Sequence, residues 1–595
     1  RDRVIAFAGE GVEMLSTSDH DWITDLAPYV FELGLEHWVA TQVGLELTTV
    51  ELGHFLGFPY DYKEFEDGKR VQEQGAIDWT GKIPDQLFDE MRELGLYGPK
   101  ETAVIVAHPR DSFFGYFDQY GMSAYNPSEV TGTLFEWFPP FVQNAIADPE
   151  LFSGRFDGLE LFNSKRFELI RTPSAGELRA YNHARTIVQL QSERGASPDI
   201  VERGLIKLDR EFIKSIIKRT PEEQEALWFS DGSEECDLMS FCTQDEDCKT
   251  NEACDPETMA CFTACVTADE CGGADCLDGK CDPEWTAADS PCTSHEGVID
   301  DWFRLMDYGV VRAGIGNSDT HQLFTQTEAG CPRNFVRLSG ETPKAIDRRE
   351  LVRNVIAGKV VASYGPFVEL WIGDKEIGET YTPDQGQTSL PLRIKIQSPT
   401  WFDVDRVEVY RSGLLVHVFS GSGDELDAAS NVDVSGLLLP NSKIVNLDAQ
   451  IDEPIPDADA WYVVIAMGLD GRDLSPVYGE HPYLKLQIGD ILARSFSSVP
   501  VPIDMSGALI PRVFRVYPYA VTNPVFIDID GNGVYDAPNA TPDWAEGGMT
   551  LRSRQAPLTT GRIGVSPLAS SSDLPTAKVR QLRYFLGILR HIAGP

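Results

Sequence analysis

Five apolar runs in this chain end on, or shortly before, a side chain that can hold a metal ion, and this recurrence limits the fold more than any other feature. The clearest is Val310 to Ile315, a buried-strand pattern that stops at glycine and delivers Asp319 and His321 just beyond its end. A carboxylate and an imidazole two residues apart on a turn can face one hard or borderline cation, although Ser-Asp-x-His also makes an ordinary turn. Val12 to Thr17 runs into Ser18-Asp19-His20-Asp21, Trp38 to Leu45 into Glu46, and Thr102 to Val106 into Ala107-His108-Pro109. Phe156 to Phe162 carries Glu160 and closes at Asn163, while His54 opens the short run Phe55 to Pro59.

Helical patterns lie between these strands: Pro84 to Leu94, Glu177 to about Gly195, Asp199 to Ile217 and Val298 to Tyr308. Strands alternating with helices predict parallel β/α units, and ligand-type residues at strand ends predict a barrel whose chemistry sits at its C-terminal face. The expected class is therefore α/β. At 595 residues one core is too small, so several domains are expected. Lys plus Arg number 51 against 93 Asp plus Glu, a formal charge of -42 that repels phosphate backbones and anionic lipid. No nucleic-acid partner is expected, and without an apolar run of eighteen residues no membrane span is expected either.

Ten of the eleven cysteines fall between Cys236 and Cys292, and the eleventh is Cys331. Cys242, Cys248, Cys254 and Cys261 form one block, and Cys265, Cys271, Cys276 and Cys281 a similar second one. The residues between them are too polar to build a core unaided, so residues 231–295 read as a disulfide-rich insert of a secreted, periplasmic or cell-surface protein. A metal cluster is the alternative, disfavoured by the lack of Cys-x-x-Cys pairs. Cys236 and Cys292 suit the base of the insert. The partner of Cys331 cannot be read from spacing.

Each ligand candidate has a plainer reading. Asp19 suits a helix N-cap before Ile23 to Leu33, and His54 suits simple packing between Gly53 and Phe55. The joint pattern is harder to explain that way. His20 and His108 closely follow apolar strands, and Glu46 and Glu160 place charge on strands where isolated charge is costly. The series Ser18-Asp19-His20-Asp21, Gly44-Leu45-Glu46, Gly53-His54, Ala107-His108-Pro109, Glu160 to Asn163 and Gly316 to His321 resembles the PHP metallohydrolase superfamily, most closely its carbaryl-hydrolase-like branch. Tyr364-Gly365-Pro366-Phe367 fits that branch too, so the likeness spans roughly residues 1–370 outside the insert.

The resemblance implies a distorted seven-stranded (β/α) barrel holding two or three divalent ions, Zn, Mn or Fe. His20, Glu46, His54, His108, Asp319 and His321 are its implied ligands, Asp19 a further ligand or catalytic carboxylate, and Glu160 and Asn163 second-line or substrate groups. The family's first strand supplies a His-x-His pair that would precede Arg1, so two ligands are expected from outside this chain. Such ions acidify bound water and polarise a scissile oxygen, so the expected reaction is direct hydrolysis of a phosphoester or of a carbamate or carboxylic ester. No Gly-x-Ser-x-Gly elbow offers a covalent serine route. Arg110 suits an anionic substrate or, equally, a surface ion pair. The aromatic stretch from Phe113 to Phe141 suits either an active-face lid for a small apolar ester or plain packing.

The domain expectation is a barrel over 1–230 and 296–370 split by the insert, a β-sandwich-like accessory domain over 371–485, and a C-terminal region over 486–595. In that last region Asp528, Asp530, Asn532 and Asp536 have the spacing of a calcium loop without the bidentate Glu, or of a plain Asp/Gly turn. Val579, Leu582, Phe585, Leu586 and Leu589 line one side of an expected terminal helix. The function expected from the whole is a secreted metal-dependent hydrolase. The alternative is a non-catalytic binding or adhesion protein that makes extracellular or cell-surface contacts through its Cys-rich and β modules.

Overall fold

A computed structural model describes residues 1–49, 52–62, 76–111, 114–123, 149–173, 197–229, 297–320, 329–420, 444–475 and 516–546, a few single positions excepted, with isolated residues and short strands between them. His321, most of residues 124–148, most of the Cys-rich stretch, and the expected terminal helix fall outside the described residues.

In chain order the first half supplies α1 (Asp2–Gly9), β1 (Met14–Ser16), α2 (Ala27–Leu33), β2 (Ala40–Gln42), β3 (Leu45–Thr48), β4 (His54–Phe58), α3 (Pro84–Glu93), β5 (Ala103–Val106) and β6 (Gly158–Asn163). It continues with α4 (Pro198–Ile217), α5 (Pro221–Trp228), α6 (Val298–Asp307) and β7 (Ala313–Asn317). Strands β7, β6, β5, β4 and β3 form one sheet in that order, with β5, β6 and β7 mutually parallel and β4 antiparallel to both neighbours. β1 pairs in parallel with β2, and a bridge between His20 and Glu46 continues that pairing alongside β3. The architecture is α/β, as its patterning predicts. Among the described residues the strands make open sheets and no closed barrel.

Register decides what each face of this sheet carries. Residues directly opposite one another point to the same side. Glu46 lies opposite Leu56, Thr48 opposite His54, Leu56 opposite Ile105, and Ile315 opposite Glu160. One face thus carries Glu46, His54 and Glu160 side by side with Leu56, Ile105 and Ile315, and Phe58 lies farthest from His54 along β4. The opposite face buries Leu47, Phe55, Val104, Val106 and Leu159 with Leu87, Phe88 and Met91 of α3. That helix forms because its apolar residues recur at helical spacing behind Pro84, whose fixed φ suits a first turn.

The second half is almost wholly antiparallel. It comprises β8 (Arg333–Val336), α7 (Arg348–Ile356), β9 (Val360–Ser363), β10 (Phe367–Ile372), β11 (Ser389–Gln397), β12 (Arg406–Arg411), β13 (Leu414–Ser420), β14 (Val445–Pro454), β15 (Ala460–Met467), β16 (Tyr519–Thr522) and β17 (Val525–Ile527). One sheet runs β8, β9, β16, β15, β12, β13, with β17 also paired to β15, and a second runs β10, β11, β14. In β11 Leu390, Leu392, Ile394 and Ile396 are buried while Pro391 and Arg393 are exposed, the alternation of a sheet covered on one side. β15 is buried throughout. Its Trp461 meets Phe303 of α6 at 4.8 Å between ring centroids, so the larger sheet is covered by the helical half as well. That sheet draws strands from residues 333–363 and 519–527 as well as from 406–467, so the two halves share one core.

Candidate metal centre

Antiparallel β4 is what brings the site together. Because it runs against β5, its first residue lies beside the C-terminal end of β5, and the Ala107 N–H donates to the His54 carbonyl at 3.1 Å. His54 and His108 thereby meet from opposite chain directions, with His54 Nδ1 3.2 Å from His108 Nε2. Glu46, inside β3, sends Oε1 to 2.9 Å from His54 Nδ1, 3.7 Å from His108 Nε2 and 3.6 Å from His20 Nδ1. His20 Nδ1 also lies 2.6 Å from the Thr48 hydroxyl. Four donors on a tetrahedral cation with ~2.1 Å bonds are about 3.4 Å apart. The three separations among Glu46, His54 and His108, 2.9, 3.2 and 3.7 Å, bracket that value.

The electrostatics agree. Burial alone would raise the Glu46 carboxyl, but His20, His108 and His54 together hold it well below the usual carboxylate range. Burial lowers His54, with Glu46 pulling the other way. At His108 burial is outweighed by Glu46, Asp111 and Glu160, which push the imidazole up to about 10. The outer ring atoms His54 Nε2 and His108 Nδ1 are buried without a hydrogen-bond partner.

Glu160 laces three strand ends together. Its Oε2 accepts from the His108 backbone N–H at 2.7 Å and from Asn163 Nδ2 at 3.0 Å, and its Oε1 accepts from Asn317 Nδ2 at 2.7 Å. Burial raises this carboxyl to about 7, with His108 pulling it down and Asp319 pushing it up. Behind Asn317 stands Asn334 on β8, whose Nδ2 reaches Asn317 Oδ1 at 3.1 Å and the Gly316 carbonyl at 2.8 Å. Four non-glycine residues around this rim have positive φ: Asp21 (58°), His108 (27°), Ser164 (49°) and Asp319 (46°). Backbone held in that region is costly and concentrates where strand ends must aim side chains.

Asp19, His20, Glu46, His108, Glu160, Asn163 and Asp319 all line one cavity of about 750 Å3, and His54 packs against His108 at its wall. Asp19 does not cap a helix, since α2 starts at Ala27 after Leu26. Arg110 turns away from the cluster, and its guanidinium holds Asp301 at 2.7 and 2.8 Å, Asp118 at 3.1 Å and the Met122 carbonyl at 3.0 Å. From the aromatic stretch, Tyr116, Phe117 and Tyr120 are fully buried against Phe152 and pack rather than cover the cavity. Phe114 stands against the His54 ring at 5.1 Å.

In the C-terminal loop Asp528 accepts from the backbone N–H groups of Gly531, Asn532 and Gly533 and from the Thr382 hydroxyl. Asp530 accepts from the Asn532 N–H at 3.0 Å, and Asp536 from the Asn532 amide at 2.7 Å. The loop is thus a satisfied Asp/Gly turn as it stands. Sequence reading missed Thr48, Asn317 and Asn334, whose types carry no metal signal and whose partners are remote in the chain.

No family model, curated protein or solved structure matches this chain.

Proposed function

We propose that the chain is a metal-dependent hydrolase of PHP type, its open sheet being part of such a barrel, acting on an ester-like substrate outside the cell. The observation that supports this best is the buried group Glu46, His54 and His108. Its ligand atoms lie within 4.8 Å of one another and there is no permanent cation among them. A divalent ion there would acidify a bound water and polarise the substrate oxygen.

The chain's own residues do the rest. Glu46, His54 and His108 hold the ion, with His20 beside them, and Asp19 and Asp319 bring further carboxylates to the cavity wall. Glu160 positions His108 through its backbone N–H and fixes the neighbouring turn through Asn163. The Glu46 and His54 side chains are themselves buried and that of His108 nearly so, which strengthens the interactions among them.

The test combines metal analysis with turnover. The full chain, dialysed and reloaded with zinc or manganese, should retain ion and cleave aryl phosphate, carbamate or carboxylic esters. His108→Ala should lose both the ion and at least about a hundredfold of turnover. A wild-type chain that retains no divalent ion at micromolar concentration refutes the reading.

A further inference from the structure

Far from the metal cluster, β14 forms one edge of the sheet it shares with β10 and β11. Among the described residues it pairs with β11 alone. At ten residues it is nearly twice as long as an ordinary strand. Every second residue of such a strand turns its N–H and C=O away from its neighbour, leaving a ladder that a further strand can join. Edges are commonly blunted by lysine, by proline within the strand or by a bulge. Leu447 to Glu453 contains no lysine and no proline, and the register shift of this strand lies before it, where Gln397 meets Val445. The inward carboxylate Glu453 is held within the chain by Arg411 and His417. Just ahead of the regular stretch, Ile444 and Val445 are exposed, Ile444 by 62%.

The regular stretch is complementary to itself. Under a two-fold axis through Ala449, Leu447 lies opposite Ile451 of a second copy, and the two Ala449 residues lie opposite each other. These three side chains make the buried face of the strand, so that face continues across the axis as apolar surface. On the outer face Asp448 meets Gln450 of the second copy, an acid against an amide. Asp448 is neutralised in its own chain by Arg393, with both oxygens at 3.0 Å. Moving the axis one residue either way sets Asp448 opposite Asp448 or opposite Asp452, like charges that oppose pairing.

We propose that two copies of this chain join edge to edge through β14, antiparallel about Ala449, so that their sheets become one. The pairing is independent of the metal site and of what that site cleaves.

The test uses the full chain at about 0.15 M salt, where repulsion between two acidic molecules is screened beyond about 8 Å. Sedimentation velocity should show a monomer–dimer equilibrium with a Kd of about 1–50 µM. Gln450→Asp sets carboxylates against each other on both sides of the axis and should weaken the dimer about three- to tenfold. Gln450→Lys sets an ammonium against Asp448 of the second copy and should tighten it by about the same factor. Within one chain Gln450 lies opposite Arg393, so an effect exerted only through folding would give the reverse order. Amide exchange along Leu447 to Ile451 should be slower in the dimer than after dilution to monomer. A chain that stays monomeric up to about 100 µM overturns the proposal. So does a dimer that the two substitutions leave unmoved or shift the opposite way. Protection of these amides that persists on dilution would assign the edge to cover from the same chain, and it too would sink the pairing.

Discussion

Glu46 and Glu408 are both buried carboxylates, and their surroundings differ in kind. Glu408 lies under the helices with Arg406 Nε at 2.7 Å on one oxygen and the Tyr410 hydroxyl at 2.7 Å on the other, while Arg406 also donates to the Arg219 carbonyl at 2.6 Å. A guanidinium stays charged at every accessible pH, so that carboxylate is permanently neutralised. Glu46 instead faces imidazoles, which are cations only when protonated. One arrangement is closed, and the other leaves a place for which proton and metal compete.

The largest effect expected from this contrast lies in exchanging the two carboxylates for amides. Glu46→Gln should weaken zinc or manganese binding by at least about a hundredfold and, because the imidazoles hold this carboxylate below its usual range, should also lower the melting temperature of the metal-free chain at neutral pH. Glu408→Gln should leave metal uptake intact but remove the charge that Arg406 Nε pairs with, at a cost of about 3–5 kcal/mol by chemical denaturation. Equal losses of stability in both variants, with metal affinity unmoved, would erase the distinction.

A finer version uses two asparagines that do the same job at one strand edge. Asn334 holds Gly316 and Asn523 holds Gly314, each taking both the N–H and the carbonyl of its glycine. Only Asn334 continues through Asn317 to Glu160 and His108. Alanine at either position should cost a similar amount of stability, about 1–3 kcal/mol. Asn334→Ala alone should loosen the metal, about tenfold or more, and shift the visible spectrum of a cobalt-loaded sample.

The smallest effect concerns a third buried carboxylate. Burial raises Asp307 to about 6, with the Trp461 N–H and Arg304 pulling it down. An unfolded aspartate titrates near ~3.9, so the folded state holds this proton more tightly. Stability should therefore fall as pH rises from about 4 to about 6 and stay lowered above that. Asp307→Asn should add about 2–3 kcal/mol at pH 8 and nothing at pH 4, as read from denaturation midpoints at the two pH values.

Much of this was legible from residue order alone. The runs ending near His108, Glu160 and Asp319 are strands β5, β6 and β7, and the helical pattern from Pro84 ends one residue earlier than its periodicity suggests, at Glu93. The run from Trp38 to Leu45 divides into β2 and β3, so Glu46 sits inside a strand rather than after one. His54 was visible as a candidate, but the reason it reaches His108 was not. That reason is the reversed direction of β4, and periodicity carries no information about direction. Arg110 finds Asp301 nearly two hundred residues later, an encounter that only tertiary packing specifies.

The glycine-rich strand β7 ends its sheet without presenting an open ladder. Side-chain amides from the antiparallel half occupy the donors and acceptors that another backbone would otherwise seek. A second molecule approaching from that side finds nothing left to zip onto, so crowding at high concentration gains no foothold for fibrous growth there.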